Sequence, residues 1–335
     1  MSRKPTSVST RDASPPASDT RPVDAALHPI ETGGYRIATP AIQAFSDLVN
    51  RCLRYRITGA LTYGPSRIGK TRAIEYLRLL LAQTHPKVVT YHAQAEHKPR
   101  HAEGPFFANL LEAVGYPEPD SGSNPAKRIR LVNKIKEACT RNGSGTVVLF
   151  CDEAQRYDEN EYEWLRDVHD HLDRIQIRLF TFLVGQQELL AVKTALQRAK
   201  KTQIVARLMV EELAFFGIRN VSDVATCLDG YDQTCFPRDS DWSFTRFYVP
   251  QAVASGDRLA DDAPLCGPRS SSCTTSTACP ANSRSRWSPS RGRWRSCSRT
   301  ASRATQRATA PTPHCGMWPH AAAAISSRAR HSARN

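Results

Sequence analysis

Eight consecutive residues, Gly64, Pro65, Ser66, Arg67, Ile68, Gly69, Lys70 and Thr71, have the types and spacing G-x-x-x-x-G-K-T. Glycines in such a loop let successive backbone N–H groups curl around an anion. A lysine next to the loop reaches the outer phosphates of a nucleotide, and the following hydroxyl is a ligand for the accompanying Mg²⁺. Lys70 and Thr71 occupy those places, so the stretch predicts binding of ATP with Mg²⁺. Asp152-Glu153 follows the apolar run Thr146-Val-Val-Leu-Phe-Cys151. A carboxylate pair in that position complements a phosphate loop: Asp152 for the metal, Glu153 to orient and polarise the attacking water. Gln186 ends a second apolar run, Ile175 to Val184. It either senses the γ-phosphate or the water, or merely begins the next helix. Arg207, in Ile204-Val-Ala-Arg207-Leu, is either an arginine finger reaching a neighbouring subunit's γ-phosphate or an ordinary surface arginine.

These groups need rigid elements behind them. Ile57–Tyr63 reads as a buried strand leading into the loop. The stretch from Thr71 to about Gln83 reads as a helix with Ala73, Ile74, Leu77, Leu80 and Leu81 on one side. The helix N-terminus then aims free N–H groups and a positive dipole end at the phosphates. Lys87–His92 is a second strand, followed by a polar loop holding His97, Lys98, Arg100 and His101. Asn124-Pro125 begins a helix to about Thr140, with Ile129, Val132, Ile135 and Cys139 inward and Lys127, Arg128, Arg130, Lys134 and Lys136 outward. Continuous apolarity in the runs before Asp152 and Gln186 implies strands covered on both faces, as in a parallel sheet. Strands alternating with helices imply right-handed βαβ units, hence a three-layer α/β fold. Ahead of the first strand, Pro40 to about Arg54 is helical, and Tyr35 and Ile37 either cover the nucleotide base, as the segment there often does in P-loop ATPases, or simply pack. Beyond Val210 the pattern becomes short and helical (Ile218 to about Leu228, Phe247 to Leu259), as for a small lid.

Net charge is +14, which alone suggests a nucleic-acid binder. Twelve arginines and no Asp, Glu or Lys lie between Pro264 and Asn335, so only 34 basic residues face the 32 acidic ones elsewhere. A DNA-binding face on the remainder is therefore local. Residues 264–335 have one Leu, one Ile, no Val and no Phe, which cannot build a core. They read as a basic disordered tail or as a frame-shifted terminus, and the abrupt change of composition favours the second. No cysteine pair has zinc-finger spacing, and reduced thiols of a cytoplasmic protein are expected. No apolar run approaches the ~20 residues that span a bilayer. The organisation expected is a disordered tail (1–27), an ATPase core (28–212), a partial lid (213–263) and the aberrant terminus (264–335).

The phosphate loop, Cys151-Asp-Glu-Ala-Gln155, Val184-Gly-Gln-Gln-Glu-Leu189 and Ile204-Val-Ala-Arg207-Leu resemble the AAA+ transposition ATPases of the TniB/TnsC type, with the closer likeness to TniB of mercury-resistance and integron-associated transposons. Tyr231-Asp232, Phe236-Pro237, Phe247–Ala252 and Gly256-Asp-Arg-Leu-Ala260 are similar to that family's C-terminal region. The resemblance runs from about residue 28 to about residue 263. It implies an AAA+ P-loop core, ATP hydrolysis, ATP-dependent assembly of a homo-oligomer on double-stranded DNA, and recruitment of a DDE transposase together with an accessory targeting protein. It also implies sequence-independent, salt-sensitive contacts to the DNA backbone, for which Lys98, Arg100 and Lys127 are the matching positions. Two alternatives stand beside this reading: a secretion-associated ATPase of similar type, and an inactive remnant whose lid is cut short.

Overall fold

The computed structural model describes residues 21–97 and 101–266. Five strands, Gly59–Tyr63 (β1), Val89–Gln94 (β2), Thr146–Asp152 (β3), Arg178–Gly185 (β4) and Glu211–Ala214 (β5), form one parallel sheet in the order β2-β3-β4-β1-β5. The helices around it are Pro29–Thr32 (α1), Pro40–Tyr55 (α2), Lys70–Thr84 (α3), Glu103–Ala113 (α4), Asn124–Asn142 (α5), Glu159–Arg174 (α6), Glu188–Arg198 (α7) and Thr202–Leu208 (α8).

The period-2 alternation of a strand decides which side chain meets which layer. On β3, Val148 and Phe150 join α2 and α3 on one face, and Val147, Leu149 and Cys151 join the α4–α8 side on the other. Both sets are buried, which is why the run is continuously apolar. Phe45 of α2 meets Phe150 and Phe182 edge-on, with ring centroids 6.0 and 6.2 Å away. Each such burial contributes about 1.5–3 kcal/mol. The expected three-layer parallel α/β fold is the observed one.

Several local readings change. On α5 the buried stripe is Lys127, Leu131, Ile135 and Cys139, spaced by four, and Ile129 is exposed. The helix is thus rotated from the expected phase, because it follows the i, i+4 row and not Ile129. β4 starts at Arg178, not Ile175, because Gln176 takes a left-handed turn (φ 61°) after α6. β5 and α8 are four and seven residues long, too short to show a period in the sequence. The sheet continues to Ala214, so the boundary placed at 212 falls inside β5.

The C-terminal helices Val221–Gln233 (α9), Phe244–Tyr248 (α10), Pro250–Ala254 (α11) and Ala263–Cys266 (α12) have a core of their own. Pro250 divides the expected helix over 247–259, since proline cannot continue the preceding turn. Ile30, Tyr35 and Ile37 from the N-terminal arm pack into this core. The arm is ordered earlier than expected: Ala25–Leu27 form a 3₁₀ turn capped by the Asp24 carboxylate, and Arg21 lies 5.3 Å from the Phe247 ring centroid. The remainder of the expected N-terminal tail and nearly all of 264–335 lie outside the described residues.

Candidate functional site: the phosphate loop and its carboxylates

β1 delivers the loop between two neighbours, with Tyr63 in register with Gly185 of β4 and Ala214 of β5. The Gly64 N–H donates to the Gly185 carbonyl at 3.2 Å. Gly64 is required by contact: a Cβ there would sit 2.2 Å from the Phe215 carbonyl oxygen. Gly69 is required by conformation, at φ 96°, and Arg67 also adopts a left-handed angle, 62°. Gly69 caps α3 without a side chain. The helix therefore presents first-turn N–H groups that no side chain caps, as an anion site demands.

Lys70 is buried, and its Nζ donates to the loop's own Gly64 and Pro65 carbonyls at 3.0 and 2.7 Å. Burial lowers its pKa, and the Glu153, Asp152 and Glu188 carboxylates oppose that shift. The Thr71 hydroxyl donates to Asp152 Oδ2 at 2.5 Å. Asp152, at the buried end of β3, also accepts the Glu153 N–H on Oδ1 at 2.9 Å. Burial alone would raise this carboxyl. The nearby His92 ring, the Thr71 hydroxyl and the Glu153 N–H outweigh burial and hold it below its usual range. His92 Nε2, on the neighbouring strand, is 3.9 Å from Oδ2, beyond hydrogen-bond length, and has no hydrogen-bond partner.

Glu153 turns away from the strand in a left-handed conformation, φ 53°. Its Oε2 accepts the Gln155 amide at 2.7 Å and the Gln186 amide at 3.3 Å, with Arg156 at 3.8 Å. The ends of β1, β3 and β4 thus bring Lys70, Thr71, Asp152, Glu153 and Gln186 together. The donor set suits Mg²⁺: one hydroxyl and one ionised carboxylate already in contact, both hard oxygen ligands.

The other expected residues fall elsewhere. The Arg207 carbonyl accepts the Thr58 hydroxyl at 3.0 Å, at the far end of β1 from the phosphate loop. Its guanidinium pairs with Asp170 at 2.8 Å, so Arg207 is not part of its own chain's site. Lys127 is buried with Nζ 3.4 Å from the Gly104 carbonyl, pointing between α4 and α5. That corrects the expected DNA contact, because the side chain is buried and its ammonium is turned to the first turn of α4. Lys98 and Arg100 lie outside the described residues. Tyr35 and Ile37 pack against the C-terminal helices, the second of the two readings given for them. A cleft of about 300 Å³ beside the loop is lined instead by Thr39, Ile42, Ile68, Gly69, Phe215 and Ile218, among others. Its size is that of a small-ligand pocket. Apart from Ile68 and Gly69 of the phosphate loop, no residue of this lining has a role legible in the sequence, nor has His92 or Gln155. Only Gln155 carried a local signal, its place two residues after the carboxylate pair.

A family model described as "AAA domain" matches residues 58–192, which hold the loop, both carboxylates and Gln186. No curated protein matches the chain. Among solved structures, the chain is similar to the ORC2 protein of Aeropyrum pernix at 17% identity and TM-score 0.41, covering 68% of this chain and 67% of that one. It is similar to Cdc6p of Pyrobaculum aerophilum at 14% and 0.42, covering 58% and 49%. It is similar to domain III of the replication initiation protein DnaA of Thermotoga maritima at 10% and 0.35, covering 69% and 92%. The chain therefore spans about half the length of the second of these. Among the described residues, no helix is long and apolar enough to cross a membrane.

Proposed function

We propose that this chain, with its AAA domain over residues 58–192, is an ATP-hydrolysing, DNA-binding transposition protein of the cytoplasm. The observation that carries the ATPase part is the junction of Thr71 and Asp152 beside Glu153, at the mouth of the phosphate loop. Lys70 leaves the loop carbonyls and neutralises the outer phosphates, while first-turn N–H groups of α3 take up phosphate oxygens. Thr71 and Asp152 would hold Mg²⁺, which would supply positive charge to offset that of the phosphates. Glu153 orients the attacking water in line and accepts its proton as the bond to the leaving oxygen breaks. The cleft beside Thr39 and Phe215 takes the base.

Support for the DNA and transposition part is the motif resemblance to TniB/TnsC-type proteins. In that reading Lys98 and Arg100 contact the duplex backbone, and Arg207 completes a neighbouring copy's site in a homo-oligomer. The position of Arg207 at the far end of β1 suits action on another copy. The test is retention of duplex DNA with and without ATP. Retention that requires ATP and disappears in Lys70→Ala supports the reading; retention indifferent to ATP assigns binding to the basic residues beyond 263. Mixing Arg207→Ala with Lys70→Ala subunits should restore part of the hydrolysis that each lacks alone. Failure of the mixture to exceed the sum of its parts removes the shared-site assignment.

A further inference from the structure

Gln155 stands where the ends of β3 and β4 meet. Its Oε1 accepts the Gln186 backbone N–H at 3.1 Å, and its Nε2 donates to Glu153 Oε2 at 2.7 Å. An amide has one accepting end and one donating end. The fixed N–H of Gln186 settles which end is which, so the NH₂ group must face the carboxylate. The Gln186 side chain reaches the same Glu153 oxygen at 3.3 Å. Two side-chain amides therefore meet at one carboxylate oxygen, with the Arg156 guanidinium 3.8 Å from it.

The backbone is shaped to admit this arrangement. A Cβ on Gly185 would lie 2.3 Å from Gln155 Oε1, so the end of β4 is bare where the amide passes. Glu153 holds a left-handed angle, which a non-glycine residue keeps only when its surroundings fix it. None of these contacts is made by the phosphate loop.

We propose that Gln155 is a positioning residue for hydrolysis, locking the Glu153 carboxylate to the end of β4 so that Glu153 and Gln186 meet the attacking water as one unit. The proposal rests on the reading of Glu153 as the group that orients that water. The hydrogen bonds of Gln155 run to Glu153 and Gln186, and it does not line the cleft beside the phosphate loop, so its loss is expected to act on turnover and not on nucleotide affinity. Replacing its NH₂ group by oxygen in Gln155→Glu sets two carboxylates against each other with almost no change of shape.

The experiment measures kcat and KM for ATP, and Kd for a fluorescent ATP analogue, on the full chain and five single or double variants. Gln155→Glu and Gln155→Ala should lower kcat roughly tenfold or more, with KM and Kd within about twofold of the parent. Gly185→Ala should lower kcat similarly by displacing the amide. In the Gln155→Ala background it should add less than about twofold, because the clash is gone. The proposal is overturned by a Gln155→Glu kcat within about twofold of the parent, by a loss carried wholly in Kd, or by additive effects of the two sites. If Gly185→Ala does not fold, the two Gln155 variants decide by themselves. Glu153→Gln separates the premises. If it hydrolyses ATP at the parent rate, the role given to Glu153 fails. If it is inactive while Gln155→Glu is not, only the role of Gln155 fails.

Discussion

Thr71 and Asp152 have a structural task besides the metal-holding role proposed for them. The Thr71 hydroxyl donates 2.5 Å to a carboxylate oxygen that is fully out of solvent. Removing one partner of a buried charged hydrogen bond leaves the other unsatisfied, at a cost of about 1–3 kcal/mol. Thr71→Ala should therefore lower the urea unfolding free energy of the nucleotide-free protein by about that amount. Thr71→Ser keeps the hydroxyl and should recover most of it. Equal stabilities of the Ala and Ser variants would show that Asp152 finds another donor, with His92 at 3.9 Å the nearest candidate. Lys70 is different in kind: its Nζ rests on two loop carbonyls that any phosphate would displace.

At the scale of elements, α5 shows how a basic face is redistributed by packing. Lys127 is buried, Arg128 bonds Glu103 at 2.6 Å, and Arg130 bonds the Ser121 carbonyl at 2.6 Å. Three of the five cations expected outward thus brace α5 against α4 and the loop before it. Lys127→Met keeps the stem and removes a buried ammonium, so salt-dependent DNA retention should be unchanged and thermal stability equal or higher. Loss of retention would return Lys127 to a nucleic-acid surface. The error in phase was physical. Ile129 looked inward because it is apolar, yet the stripe is set by Leu131, Ile135 and Cys139, into which the aliphatic stem of Lys127 fits. Where pattern and chemistry agreed, the sequence was readable: the phosphate loop between strand and helix, and Asp152-Glu153 at the end of a fully apolar strand. β5 and the cleft were not readable. The four residues Glu211–Ala214 gain their strand from pairing with β1, and the cleft is assembled from segments far apart in the chain. Gln155 sat in a motif already noted, but its role appears only once β4 lies alongside β3.

At the scale of the molecule, two histidines join parts of the chain that meet only in the folded state. His28, from the N-terminal arm, is enclosed by Phe236, Phe244, Phe247 and Tyr248 of the C-terminal helical group, its ring centroid 4.3 Å from that of Phe247. His169 of α6 is buried against β4, with Nε2 2.7 Å from the Thr181 hydroxyl. Burial pushes His28 down to about 4 and His169 down to about 3, the latter with a smaller contribution from Arg207. Both are neutral in the folded chain, while in the unfolded chain they titrate near 6.5. Between those values the unfolded state binds more protons, so stability is intact above 6.5 and falls as the pH drops toward 4. Each histidine contributes a slope of up to about 1.4 kcal/mol per pH unit. The lowered carboxyls of Asp152 and Glu75 act in another window. They remain charged until the pH passes below the ordinary values of 3.8 and 4.5, so their loss comes later. Urea unfolding from pH 6.5 to 4.5 should therefore report the histidines first. His28→Phe, which matches the aromatic cage but cannot titrate, should remove about half of that slope, whatever it does to stability at pH 7. An unchanged slope would mean that the arm separates from the C-terminal helices before His28 takes up its proton, and that the clasp between the two ends of the fold is weaker than its burial implies.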